Sequence, residues 1–194
     1  MNAIAEPKLA APGAGLPKIE LFVARLRFAW IRMRGTRAQF AARFEREREA
    51  IMKLVRSLDP SLAERRVLIP RLRGMEDSSR NWSVWMTLDH LRITNTAFGR
   101  VIHTLAQGRV PDRVASTAAV KPSADVDASV VDGFERSCEL LTHTAAAVAD
   151  LRTKARYAHP WFGPLDAAGW HVLCAGHMGL HRGQIERILD GLIR

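Results

Sequence analysis

Cysteine is scarce in this chain. Cys138 and Cys174 are the two among 194 residues, and no CxxC spacing occurs, which argues against a disulfide framework or a thiolate zinc site. Both fall within helical patterns and read as small core residues. No apolar run reaches the length that spans a bilayer. The N-terminal stretch MNAIAEPKLAAPGAGLPK lacks the basic segment followed by a continuous apolar one that marks a secretory signal. A cytoplasmic protein without a membrane span is therefore expected. Strand-like alternation is absent, as is any repeat of fixed period.

Acidic residues are short in one region only. Residues 1–73 hold 16 Lys and Arg against 7 Asp and Glu, and residues 74–194 hold 13 against 13, so the first third carries the whole formal charge of +9. That basic part could meet a polyanion. Glu45, Glu47 and Glu49 are interleaved with it, and a solvated helix face is the commoner explanation.

The apolar residues that are present repeat at helical spacing. Residues 1–16, rich in Ala, Pro and Gly, read as a flexible tail. Ile19, Phe22, Leu26 and Trp30 mark a helix over residues 17–35, stopped by Gly35. Thr36 with Gln39 resembles a capping box opening a second helix that runs to about Leu58. Pro60 and Pro70 bracket an irregular region. A long helix is expected from about Ser79 to Gln107, stopped by Gly108, and another from about Ala128 to Thr153. After the turn YAHPWFGPL, Asp166 is placed to cap a last helix through Ile193. Residues 108–128 form an unusually long loop. About 20 extended residues reach about 66 Å, whereas a 28-residue helix is about 42 Å long, so this loop can cross from one end of a bundle to the other. The fold class is all-α, one helical bundle.

In the last helix Trp170, Leu173, His177, His181, Gln184 and Ile188 share one face. Side chains four residues apart are neighbours on a helix, so His177 and His181 can chelate one ion. His90, with Leu88 and Leu91 beside it, lies 11 residues into its own helix, as His177 lies 11 residues after Asp166. It would face His177 if the helices are parallel and level, and about residue 183 if antiparallel. The competing reading has three neutral core histidines, each with its own hydrogen-bond partner. His103 and His143 fall off the apolar stripes and read as solvated. His171 reads as structural, and the turn carrying His159 could overhang the bundle's end.

WSVWMTLDHL, HPWFGPLDAAGW and HMGLHRGQIERIL together resemble the DinB-like, or YfiT-like, superfamily over about residues 36–194. The resemblance implies a four-helix bundle with a long crossover between its second and third helices, leaving residues 17–35 as an extra N-terminal helix. It implies a metal triad of His90, His177 and His181, with Gln184 beside it. By their own positions Thr94, one turn beyond His90, could orient a bound ligand, and His159 on the turn is a candidate for the pocket. One divalent ion is then expected, with Zn, Ni and Fe all compatible with the donors, and a low-molecular-weight thiol is a candidate co-substrate. The implied activity is metal-assisted transfer or hydrolysis of a small thiol or electrophile, although no Glu follows the histidine pair as in HExxH proteases and Asp89 points away from His90's face. The alternative is a non-enzymatic module whose basic N-terminal helices bind nucleic acid or a partner protein. Phe22, Leu26 and Trp30 could cap the core or pack in a homodimer.

Overall fold

A computed structural model describes residues 7–193 of the chain. Helix α1, Lys18–Arg34, precedes α2, Arg37–Arg56, and the one-turn α3, Pro60–Ala63. Strands β1, Val67–Leu68, and β2, Asn81–Trp82, form a small antiparallel ladder. Helix α4, Val84–Ala106, is followed by a crossover with one 3-10 turn at Ala118–Val120 and then by α5, Val130–Ala147. A second antiparallel pair, β3, Tyr157–His159, and β4, Gly163–Leu165, leads into α6, Ala167–Leu192. Residues 7–16 contain neither helix nor strand, and the backbone amides of Ala10 and Gly13 donate to Asp77 and Glu76. Residues 1–6 of the expected tail lie outside the described residues. Among the described residues no helix is long and apolar enough to cross a membrane.

Local chemistry sets the helix ends. Thr36 Oγ1 accepts from the Gln39 amide at 3.3 Å while Gln39 Oε1 accepts from the Thr36 amide at 2.9 Å, completing the capping box at the start of α2. Gly35 is required just before it, because a Cβ there would lie 2.2 Å from the Phe40 ring. Helix α4 begins at Val84 rather than near Ser79. Asn81 and Trp82 are engaged with β1, and Ser83 caps the helix by accepting from the Met86 amide. Helix α5 ends at Ala147, short of Thr153: Val148 turns extended, and the following segment runs back so that Leu151 and Thr153 accept from the first amides of α6. The expected turn before α6 is a hairpin around Pro160, Trp161 and Phe162, closed by Gly163 at φ +69°. Both ladders are too short to show a period of two, which is why alternation does not reveal them.

Four helices close the bundle, and cross-links fix their directions. Arg37 reaches the Ala145 and Ala146 carbonyls, and Arg48 reaches Glu135 and Glu139, so α2 and α5 are antiparallel. Phe40 meets His171 and Glu47 meets Arg182, making α2 and α6 parallel. Asn95 lies against Ser137 and Gly99 against Leu141, so α4 and α5 are parallel as well. Parallel neighbours in sequence order cannot be joined by a short turn, so the crossover follows from this arrangement. The apolar stripes meet in one core containing Leu88, Leu91, Ile102, Phe134, Ile185 and Ile188, each fully or almost fully buried. Cys138 and Cys174 are free and buried in it, and burial pushes the Cys138 thiol up to about 12 and the Cys174 thiol up as well. Helix α1 stands outside this core with no buried residue.

Truncating Phe134, which is completely buried, to Ala should cost about 3 to 5 kcal/mol and lower the urea midpoint accordingly. Leu140→Ala, on the 57% exposed neighbour, should shift stability by less than about 0.5 kcal/mol.

Candidate metal centre

Trp82 stacks near His181 with ring centroids 6.2 Å apart, His90 lies 4.6 Å from His181 and 5.0 Å from His177, and Phe98 lies 5.6 Å from Trp170. Positions advance along α4 as they recede along α6, so the two helices are antiparallel and His90 sits between the two histidines of the HxxxH pair. One potential ligand atom from each of His90, His177 and His181 lies within 4.8 Å of the others. Among the described residues they form the one cluster of His, Cys, Asp or Glu placed to share an ion. His90 Nε2 and His177 Nε2 are 3.2 Å apart. Two nitrogens bound to one ion at about 2.0 to 2.1 Å with a tetrahedral angle between them would be about 3.4 Å apart.

Hydrogen bonds decide which nitrogen of each ring is available. His90 Nδ1 is 2.6 Å from the Val120 carbonyl, which can only accept, so Nδ1 carries the proton and Nε2 the lone pair. Gln184 Nε2 donates to the Ser79 carbonyl at 2.8 Å, which turns Gln184 Oε1 toward His181 Nδ1 at 2.7 Å. His181 is therefore also protonated on Nδ1 with a free Nε2 lone pair. The buried Nδ1 of His177 has no partner. If His177 donates from Nε2 to His90, it leaves a dry lone pair on Nδ1; if its Nε2 lone pair serves a shared cation, Nδ1–H is the unmet group.

Neutral rings are what this environment favours. Burial lowers the pKa of His90 to about 4, and the ammonium of Lys121 acts in the same direction, against the hydrogen bond to Val120. His177 and His181 lie well below the ordinary value, first through burial and then through their histidine neighbours.

A cavity of about 310 Å³ opens onto the triad. Phe98, Tyr157, His159, Trp161 and Trp170 wall one side, and the crossover from Arg113 to Lys121 covers another. His159 Nδ1 accepts from the Trp161 amide at 3.1 Å, leaving its proton on Nε2, and burial lowers its pKa to about 4. Thr94 lines the cavity, with its hydroxyl bonded back to the His90 and Leu91 carbonyls rather than to an imidazole. A larger hollow of about 840 Å³ lies away from the triad, between α1, the start of α2 and β4. His171 borders that hollow on the opposite side of α6, while His103 and His143 are exposed.

The crossover is tied down beside the site by residues that no periodicity singled out. Glu76, 5% exposed, accepts from Gly13 N–H, Thr117 Oγ1 and Lys121 Nζ. Burial alone would raise its pKa, but the hydrogen bonds from Thr117 and Lys121 and the Lys121 charge outweigh it and hold the carboxyl below its usual range. Lys121 also donates to Ser78 and Ser79, and the Ser123 amide donates to Asp89, which Arg92 holds from the other side. Asp89 thus points away from the imidazoles, as its helical position implies.

A family model of the DinB superfamily matches residues 43–185. The chain belongs to the DinB superfamily. Among solved structures this DinB-superfamily chain is similar to TT2238, described as a four-helix bundle protein, with a TM-score of 0.57 and 22% identity over 78% of this chain and 98% of that one. At that identity the likeness concerns the fold, and it agrees with the bundle found here. No curated protein matches the chain.

Below its ordinary pKa of 6.5 an exposed imidazole takes up a proton, while His90, His159 and His171 resist until about pH 4 and His177 and His181 resist as well. The unfolded chain then binds more protons than the folded one, so stability falls as pH drops. For chelator-treated protein the melting temperature should be level above about pH 6.5 and decline between about 6.5 and 4. A flat profile across that window would contradict the buried neutral rings.

Proposed function

We propose that His90, His177 and His181 hold one divalent metal ion and that the cavity beside them carries out metal-dependent transfer or hydrolysis on a small thiol or electrophile. The observation that carries this reading is the donor set: three neutral imidazoles on two helices, two with Nδ1 committed to an oxygen so that Nε2 presents its lone pair. Zn, Ni and Fe suit such a nitrogen set. A divalent ion held there supplies Lewis acidity, lowering the pKa of a thiol or water presented to it.

The protein's own groups supply orientation and exclusion of water. Gln184 holds His181 from behind, and the Val120 carbonyl does the same for His90, the kind of outer contact that keeps a ligating imidazole in one tautomer. The aromatic wall receives an apolar substrate body, and Arg113 and Lys121 on the crossover favour an anionic group at its other end. His159 keeps a proton on Nε2 for donation to a substrate oxygen or sulfur. A low-molecular-weight thiol fits this combination of a charged group and a soft nucleophile.

In the alternative reading the basic N-terminal helices bind nucleic acid or a protein without catalysis. Part of their charge is already committed within the molecule: Arg32 to Asp166, Arg37 to carbonyls at the end of α5, and Arg48 to Glu135 and Glu139. This favours the metal-centred reading.

Elemental analysis of freshly purified protein should find about one metal per chain, lost in both His90→Ala and His177→Ala. Thiol transfer or hydrolysis should vanish with it, and turnover that persists after complete metal removal would refute the enzymatic reading. Gln184→Ala should keep the fold and weaken metal affinity by roughly 10- to 100-fold, measured by competition with a chromophoric chelator.

A further inference from the structure

Helix α1 has two apolar faces. Its inner side rests on the molecule through Leu21, Ala24, Phe28 and Ile31, all less exposed than their outer neighbours. Phe28 packs on Phe162 with ring centroids 4.6 Å apart, Glu20 pairs with Arg71, Arg25 Nε donates to the Trp161 carbonyl at 2.6 Å, and Arg32 pairs with Asp166 at 2.7 Å. These attachments along the helix fix which side points outward. On that side lie Ile19, Phe22, Val23, Leu26, Trp30 and Met33, each between 56% and 81% exposed. At 100° per residue they occupy one continuous stripe along the 17-residue helix. At about 1.5 Å per residue that stripe is about 25 Å long, and a contiguous exposed apolar patch of this kind marks a site of association.

Cations border the stripe on both sides. Lys18 and Arg25 lie along one edge and Arg27 and Arg34 along the other, all four exposed. No ion pair is formed by Lys18, Arg27 or Arg34 among the described residues. The one acidic residue of α1, Glu20, is turned inward onto Arg71 and the Gly74 amide.

We propose that the outer face of α1 docks on an anionic lipid bilayer, lying in the headgroup plane while its inner face stays on the bundle. Apolar side chains with an interfacial Trp, edged by arginines, match the acyl boundary and the phosphate layer above it. A second copy fits less well. Pairing two such helices brings the basic edges of each against those of the other, with no carboxylate on either outer face to meet them. Docking is peripheral, since no described helix can cross a membrane. Because α1 rests on the Trp161–Phe162 tip whose Trp161 also walls the triad's cavity, docking brings that wall close to the lipid surface.

Co-sedimentation of the full chain with phosphatidylcholine vesicles, with and without phosphatidylglycerol, tests this. Binding is expected to the vesicles containing phosphatidylglycerol and to fall with added salt, with a blue shift of tryptophan emission that Trp30→Phe diminishes. Leu26→Glu and the double variant Arg27→Glu/Arg34→Glu should each weaken it by at least about tenfold, with melting temperatures near that of the parent because these side chains touch no core. No binding to phosphatidylglycerol vesicles at low salt overturns the proposal. So does full binding by Leu26→Glu, equal binding to a short DNA duplex that Leu26→Glu leaves intact, or a lipid-free dimer that Leu26→Glu dissociates.

Discussion

Three imidazoles packed against one another set the terms for their surroundings. Each ring has two nitrogens, and in a buried position an unmet nitrogen or an uncompensated charge is expensive. The rings must stay neutral, and each proton must be placed. Two oxygens from separate parts of the chain meet that demand: the Val120 carbonyl takes the His90 proton, and Gln184, steered by the Ser79 carbonyl, takes that of His181. Nδ1 of His177 is left over. The Nε2 lone pairs of His90 and His181 are thereby turned toward the space they share with His177.

The crossover follows from topology and serves chemistry. With α4 parallel to α5, the chain must travel the length of the bundle between them, and it does so over the open side of the triad. Its 3-10 turn supplies Val120, and the next residue, Lys121, is clasped by Glu76, Ser78 and Ser79. Glu76 also gathers the Gly13 amide and the Thr117 hydroxyl. One buried carboxylate therefore joins the N-terminal segment, the loop before α4 and the cavity roof.

The parts of this arrangement that obey helical periodicity were readable in the amino-acid order. His177, His181 and Gln184 share a face because three- and four-residue spacing dictates it, and His90 shares its face with Thr94 and Ala97 on a helix whose apolar residues mark more than one side as buried. The same logic placed His103 and His143 in solvent and both cysteines in the core. Antiparallel packing of α4 and α6, one of two arrangements left open by spacing, is fixed by long-range pairing. A backbone carbonyl has no sequence signature, so the Val120 contact could not be foreseen. Lys121 and Glu76 sit in aperiodic segments, and Ser78 and Ser79, which resemble a helix start, instead receive the Lys121 ammonium. The outer stripe of α1 was visible as Phe22, Leu26 and Trp30, but that helix has apolar residues on both sides, and periodicity does not say which side the molecule covers.

The separation of the three histidines along the chain bears on how the molecule comes into being. His90 precedes His177 by 87 residues, and the bonds from Glu47 to Arg182 and from Gln184 to Ser79 close loops of 135 and 105 residues. Such non-local closures carry an entropic cost that is met only when the distant segments come together. During synthesis His90 has left the ribosome long before α6 exists. The cluster of His90, His177 and His181 is therefore complete only once the last helix has docked.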